Sequence, residues 1–173
     1  STFQLNGTLR VVGAGSNFPL TTTLLNGNGT LAVNGTTSTA MSIQSNSTGY
    51  TGAVVIDRSS LPQFSAPAGG IGISGSNGAI INVPSIDIRA GGSINLTSTA
   101  AAFNNNRLGD TTPLNFRSGN LTMSGATGAA FTETVGAITG GGYSTITASP
   151  GASGVTTLAG ASLAREDRGT FLL

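Results

Sequence analysis

The stretch Gly91-Gly92-Ser93-Ile94-Asn95-Leu96 decides the fold, because the same turn and the same hydrophobic alternation recur elsewhere in the chain. The pattern appears again at residues 6–11, 28–33 and 118–123, and in shorter form at residues 169–172. A turn that leads into a short strand, repeated at irregular intervals of roughly 20 to 30 residues, is typical of a coiled β architecture. Each unit of such a fold buries its apolar side only against its neighbours. The sequence therefore predicts a β-solenoid.

The composition also favours turns and short strands over helices. The 173 residues include 27 glycines, and Ser, Thr and Asn are abundant. Only 8% of the residues are charged, yet mean hydropathy is slightly positive and Val, Ile and Leu are spread evenly. This spread of apolar residues distinguishes the chain from disordered Gly/Ser polymers. We expect a single ordered domain over residues 1–173, either one module of a longer protein or one subunit of a filament.

The charged and metal-binding residue types exclude several functions. The net charge is +1 and all seven basic residues are scattered arginines, apart from the pair Arg165 and Arg168. The chain lacks Cys and His, and with them the usual zinc ligands and the usual general base. No apolar run approaches the roughly 18 residues that a membrane helix needs. We predict no metal, no cofactor, no nucleic-acid partner and no membrane insertion of this segment.

Strand-like alternation marks the residues that we expect to face the core. The predicted inward positions are Leu9, Leu31, Val54, Ile56, Ile94, Leu96, Leu121 and Met123. In Ile86-Asp87-Ile88-Arg89 the alternation sends both isoleucines inward and places Asp87 and Arg89 together on the outer surface.

The prolines mark corners and loops. Ile81 and Val83 share one strand face, whereas Ile86 and Ile88 have the opposite parity, with Pro84 between the two pairs. Proline lacks the donor that a central ladder needs, so Pro84 is predicted to mark a change of sheet. The other five prolines lie in polar or glycine-containing surroundings and are interpreted as loop residues: Pro19, Pro62, Pro67, Pro113 and Pro150.

Several motifs together resemble a known family. Gly49-Tyr50-Thr51-Gly52-Ala53-Val54-Val55-Ile56-Asp57 resembles the Y-T-G-x-T-x-V/I core of the autotransporter-associated β-strand repeat. Asn106-Arg107-Leu108-Gly109-Asp110, Pro113-Leu114-Asn115-Phe116 and Glu133-Thr134-Val135-Gly136 resemble the long module of giant passenger proteins of this kind. Residues 163–172 are similar to its closing phrase, L-x-R-x-x-x-G-T-x-L. The resemblance covers about residues 28 to 173.

This resemblance implies a right-handed parallel β-helix with irregular coils, located outside a bacterial cell or on its surface. Members of the family are large secreted or surface-displayed proteins, and many are followed by an outer-membrane barrel. They share no catalytic residues that can be carried over to this chain.

The distribution of carboxylates argues against an enzyme. Cleavage of sugars usually needs two carboxylates held several ångströms apart across a cleft. The chain has six: Asp57, Asp87, Asp110, Glu133, Glu166 and Asp167. Only Glu166 and Asp167 are adjacent, and their position between two arginines favours a solvated turn. Trp is absent, and Tyr50 and Tyr143 are the available aromatic platforms with a polar tip. We therefore predict no catalytic residues.

Three further motifs each have a structural and a functional interpretation. Gly70-Ile71-Gly72-Ile73-Ser74-Gly75 has the letters of a dinucleotide-binding fingerprint, but a turn follows it where a helix would be needed, so we favour a strand and a bend. The run 104–106 is either a binding site or, as we favour, a set of turn and ladder asparagines. Six Asn-x-Ser/Thr sequons are favoured as turns, with glycosylation as the alternative. They lie at Asn6, Asn28, Asn34, Asn46, Asn95 and Asn120.

The favoured function is that of a non-enzymatic extracellular structural protein in a cell-surface fibre or sheath. The alternative is a surface adhesin or glycan-binding module. Strand-forming segments lie at residues 3–12 and 169–173, without a charged cap, and solenoid ends with open edges tend to associate. We expect self-association into a homopolymeric filament through a head-to-tail contact. Its predicted contact residues are Phe3, Leu5, Phe171, Leu172 and Leu173.

Overall fold

A computed structural model describes residues 1–12, 18–34, 41–57 and 70–173. Regular structure within these ranges consists of β-strands, and they contain no candidate transmembrane helix. The strands are β1 (Thr2–Gln4), β2 (Thr8–Val11), β3 (Phe18–Leu20), β4 (Leu24–Asn26), β5 (Thr30–Val33), β6 (Met41–Ile43), β7 (Val54–Asp57), β8 (Gly70–Ile73), β9 (Ile86–Arg89), β10 (Ser93–Thr97), β11 (Leu114–Arg117), β12 (Asn120–Ser124), β13 (Ala130–Gly141), β14 (Tyr143–Ser149), β15 (Val155–Arg165) and β16 (Thr170–Leu172).

The strands build two long parallel sheets. Sheet 1 has the order β2-β5-β7-β9-β11-β13-β15, and sheet 2 has the order β3-β6-β8-β10-β12-β14-β16. The chain visits the sheets alternately, so each strand pairs with the one a full coil earlier. The offset is 22 residues where Thr8 pairs with Thr30 (30 − 8) and 32 where Val54 pairs with Ile86 (86 − 54). The predicted parallel β-helix with irregular coils is confirmed.

A third face completes each coil with less regular pairing. It consists of the two-stranded sheet β1-β4, followed by single parallel bridges at Gly27↔Tyr50, Asn46↔Ala79 and Ile80↔Leu108. The later strands β13 and β15 run through both this face and sheet 1. Their ladder skips one position at Gly136, where a side chain would strike the Thr111 carbonyl. The glycine therefore forms the corner between the two faces.

The inward positions stack from coil to coil into one core. Ile94, for example, lies between Ile71 and Leu121 in the ladder of sheet 2, and all three are fully buried. The predicted inward residues agree: seven of the eight are buried, and Leu9 packs against the core while half-exposed. Each fully buried aliphatic side chain stabilises the fold by about 1.5–3 kcal/mol.

A column of glycines explains the recurrent turn. Gly29 lies beside Gly7 of the preceding coil, and Gly52 lies beside Gly29. A Cβ at Gly29 would collide with the Gly7 carbonyl oxygen, and a Cβ at Gly52 with the Gly29 carbonyl oxygen. The coils approach too closely here for any side chain, so the turn before the strand requires glycine.

The structure confirms the predictions for three prolines and corrects two other details. Pro84 lies in a bend between the third face and β9, as predicted for a corner. Val83 before it is buried, but Ile81 is half-exposed, and Ile80 is the isoleucine that enters the core. Pro19 lies inside β3, at the edge of sheet 2, where a missing N–H is tolerated. Pro113 and Pro150 are in loops, and Pro62 and Pro67 lie outside the described residues.

Candidate functional site

A buried arginine lies at the centre of the third face. Arg107 precedes Leu108 of the last single bridge, and its side chain has no solvent exposure. Nη1 donates to the carbonyls of Gly75 (3.0 Å) and Gly78 (3.1 Å), and Nη2 donates to Ser98 Oγ (3.1 Å) and the Ala102 carbonyl (3.4 Å). Nε has no hydrogen-bond partner among the described residues. The guanidinium therefore joins the turn at residues 75–78 to the loop at residues 98–102.

A buried glutamate holds the backbone of the same arginine. Glu133 belongs to β13 and has no solvent exposure. Both of its carboxylate oxygens accept from the Arg107 N–H, at 3.1 Å each, and Oε1 also accepts from the Leu108 N–H at 2.8 Å. In a regular ladder, carbonyls of a neighbouring strand would accept from these two N–H groups. Here the Glu133 carboxylate accepts from them, and without it the two buried donors would lack partners.

Burial governs the ionisation of this pair. It raises the pKa of the Glu133 carboxyl to about 7, although the two N–H groups and the Arg107 charge act in the opposite direction. The pKa of Arg107 is lowered by the same cause, partly offset by the Glu133 charge. Because the N–H donors surround the carboxylate and the fold excludes water, we assign the pair a structural role.

An asparagine groove lies on the surface above this pair. It has a volume of about 250 Å³ and is lined by Asn46, Ser76, Asn77, Ala79, Ile81, Asn104 and Asn106. These residues come from three successive coils, joined by the bridges at Asn46↔Ala79 and Ile80↔Leu108. No charged side chain is among the lining residues. The groove therefore presents neutral amide and hydroxyl groups to solvent.

The buried arginine positions both walls of the asparagine groove. Ser76 and Asn77 lie in the turn between Gly75 and Gly78, whose carbonyls receive Nη1 of Arg107. On the other wall, Asn104 Nδ2 also donates to the Gly78 carbonyl (3.3 Å), and its Oδ1 accepts from the Asn106 N–H (2.9 Å). Hydrogen bonds to the Gly78 carbonyl thus hold the two walls of the groove together.

Two of the three asparagines in the run have structural roles. Asn104 caps the backbone as described, and Asn105 Oδ1 accepts from the Thr132 N–H at 3.1 Å. These two side chains confirm the structural interpretation. Asn106 differs, because its side-chain amide lines the groove and makes no hydrogen bond within the described residues, although its backbone N–H bonds to Asn104.

A second, apolar groove lies at the last coil. It encloses about 210 Å³ among Ile138, Ile146, Leu158, Gly160, Ser162, Leu163 and Leu173. Strand β15 forms the edge of sheet 1, and Leu163 and Leu173 are 52% and 78% exposed. Core-type side chains are therefore partly open to solvent at this edge.

The predicted contact residues separate into two groups. Leu5 is buried in the core, Phe3 packs against that core, and Phe171 packs edge-on against Phe116 with ring centroids 5.8 Å apart. Leu172 and Leu173 are exposed, and Leu173 lines the apolar groove. Within one chain the two groups lie apart: Phe3 is in β1 of the two-stranded sheet, whereas Phe171 and Leu172 are in β16, an outer strand of sheet 2.

The other singled-out residues are mostly explained by the fold. Asp87 and Arg89 form the predicted surface pair, with Oδ2 and Nη2 2.6 Å apart. Glu166 and Asp167 lie in an exposed turn, as predicted. Tyr50 is a correction: it is fully buried, so it offers no stacking surface. Its hydroxyl bonds to the Leu31 N–H and to the carbonyls of Gly29 and Ala53.

The fingerprint-like motif also has a structural role. Gly70–Ile73 is strand β8 and Gly75 has a φ of +77°, so the fingerprint-like segment is the predicted strand and bend. No group of three or more Asp or Glu side chains within the described residues could hold a metal ion.

Comparison with known proteins adds no identity. No family model, no curated protein and no solved structure matches this chain.

Proposed function

We propose that this chain is a non-enzymatic structural protein of an extracellular or cell-surface fibre, which grows by end-to-end stacking of β-solenoid copies. The observation that carries this proposal is the open edge at β15. This strand has 11 residues, its one ladder partner among the described strands is β13, and residues of its core-facing side are partly exposed. A further solenoid coil would continue the ladder and cover Leu158 and Leu163.

The opposite edges of the sheets supply the complementary surface. Strands β2 and β3 are the outer strands there, and they are parallel to all the others in their sheets. A second copy placed with β2 against β15 would keep both the strand direction and the stacking of apolar side chains. Such a head-to-tail contact is heterologous and need not close, so it propagates as a filament. The extracellular location rests on the family resemblance of the sequence motifs.

Introducing charge at the exposed end tests the stacking. We expect the intact protein to form filaments at high concentration, detected by light scattering and negative-stain electron microscopy. Leu172→Asp with Leu173→Asp should abolish assembly and leave a folded monomer, because both side chains are already exposed, at 56% and 78%. A matched control is Thr147→Asp with Ser149→Asp, which adds two carboxylates at exposed positions of β14.

The control should assemble like the intact protein. An intact chain that stays monomeric at high concentration would overturn the proposal. Assembly of the Leu172→Asp, Leu173→Asp variant at the normal rate would show that these residues are not in the contact. Deleting residues 169–173 is a harsher form of the same test, because it also removes Phe171 from its contact with Phe116.

A further inference from the structure

We infer that the asparagine groove is a binding site for a neutral, hydroxyl-rich ligand, namely a pyranose unit of an uncharged glycan. This site is independent of the proposed fibre, because it lies on the third face of the middle coils and not at β15. The inference begins with the lining side chains. Asn46, Ser76, Asn77 and Asn106 are exposed to the groove, and their side chains make no hydrogen bonds within the described residues.

The chemistry of these groups selects the ligand class. Each amide offers two N–H donors and one carbonyl acceptor, and a hydroxyl both donates and accepts. Vicinal hydroxyls of a sugar present the same alternation of donor and acceptor, so one amide can bond to two of them. Ala79 and Ile81 add an apolar surface between the amides. A pyranose ring has both parts, with hydroxyls at its rim and C–H groups on its face.

Charge excludes the other small ligands. A calcium site needs several carboxylate or carbonyl oxygens, and none of the described residues that line the groove is Asp or Glu. A phosphate or sulfate site would use Arg or Lys, and no basic side chain is among these lining residues either. The nearby Arg107 is fully buried, and its Nη donors already bond to protein oxygens. With cations and anions both disfavoured, the lining side chains suit an uncharged ligand.

The size and rigidity of the groove agree with a small, shallow site. Its volume of about 250 Å³ lies below the roughly 300–1,000 Å³ typical of pockets for drug-sized ligands. Arg107 and Asn104 fix the two walls through the Gly78 carbonyl, so the amides are held in place before a ligand arrives. A pre-organised site avoids part of the entropic cost of binding.

The test is binding to immobilised oligosaccharides. The probes are neutral hexose oligosaccharides, with sulfated and uronate-containing oligosaccharides on the same surface. We expect binding to at least one neutral probe, no gain with charge, and insensitivity to salt. Asn77→Ala with Asn106→Ala should weaken that binding by at least about tenfold, because two amides that bond to the sugar are lost.

A matched control tests whether the loss of oligosaccharide binding is specific to the asparagine groove. Asn6→Ala with Asn28→Ala removes two exposed asparagines from another part of the molecule and should leave binding unchanged. Absence of binding to every neutral probe would overturn the inference, as would preference for the charged probes or an equal loss in the control variant. Filament formation by the Asn77→Ala, Asn106→Ala variant should match that of the intact protein, so this test and the fibre test can fail separately.

Discussion

Strands β12 and β15 both carry leucines on the side that faces the core, but their surroundings differ. Strand β12 alternates polar and apolar residues, Leu163 of β15 pairs with the buried Ile138, and both strands pair in parallel with the strand one coil earlier. In β12, Leu121 and Met123 are fully buried, whereas in β15 Leu163 is 52% exposed. The difference is that, in the part of the chain that the structure describes, β12 has a neighbouring strand on each side and β15 has one. In a solenoid, a side chain's burial is decided by the adjacent coils as much as by its own strand.

The largest expected effect comes from placing the same charge in both strands. Leu121→Asp buries a carboxylate among β10, β12 and β14 and should destabilise the protein by roughly 4 kcal/mol or more, unfolding at least the adjacent coils. Leu163→Asp places the carboxylate where water can reach it, and should cost less than about 1 kcal/mol. Urea unfolding followed by circular dichroism measures both. Equal losses would show that β15 is covered in solution.

The second prediction compares an interior glutamate with a terminal one. Burial raises the pKa of Glu133 from 4.5 to about 7 in the folded state. The folded protein therefore holds the proton more tightly than the unfolded chain, and its stability falls as pH rises from about 4.5 to 7. The expected fall is roughly 3 kcal/mol. It should disappear in Glu133→Gln.

The matched control for this prediction is Glu166→Gln. Glu166 lies in the exposed turn after β15, and its replacement should leave the fall in stability unchanged. The measurement is the free energy of unfolding at several pH values for the three proteins. If stability instead rose with pH across this window, and did so only when Glu133 is present, the amide donors and Arg107 would outweigh burial.

The two tyrosines give a third comparison of interior and exposed positions. Tyr50→Phe removes a buried hydroxyl that bonds to Leu31 N–H and to two carbonyls, and should cost about 1–2 kcal/mol. Tyr143 is 60% exposed, so Tyr143→Phe should change stability by less than about 0.5 kcal/mol. Denaturant midpoints of the two variants are sufficient to compare them. A larger effect at Tyr143 would place that side chain in a contact.

The smallest effect is expected at the charged turn after β15. Glu166→Gln with Asp167→Asn should change stability by less than about 0.5 kcal/mol, because both carboxylates are exposed. Thermal unfolding of the double variant and the intact protein provides the measurement. Loss of a glycan-cleaving activity in this variant would contradict the non-enzymatic proposal.

The burial of Glu133 could have been predicted from the alternation of inward and outward residues along its strand. Glu133 lies between Phe131 and Val135, two residues from each, so it shares their inward parity in β13. A charged residue at an inward position of a strand indicates a buried polar contact. For Arg107 no such signal exists, because it lies outside the regular strands. The hydrogen-bond partners of its guanidinium lie in residues 75–102.

The sequence by itself determined the coiled parallel architecture, many of the short strands and the side of those strands that faces the core, but not the long strands β13 and β15. The features that it determined depend on local rules: alternate residues point to opposite sides of a strand, and glycine is needed where successive turns nearly touch. Only the tertiary structure decided which polar residues are enclosed and which are exposed. Tyr50, Arg107 and Glu133 are buried because neighbouring coils supply their hydrogen-bond partners, and the asparagine groove exists because three coils bring distant residues together. Such contacts join residues about 20 to 30 positions apart, beyond the reach of any local pattern.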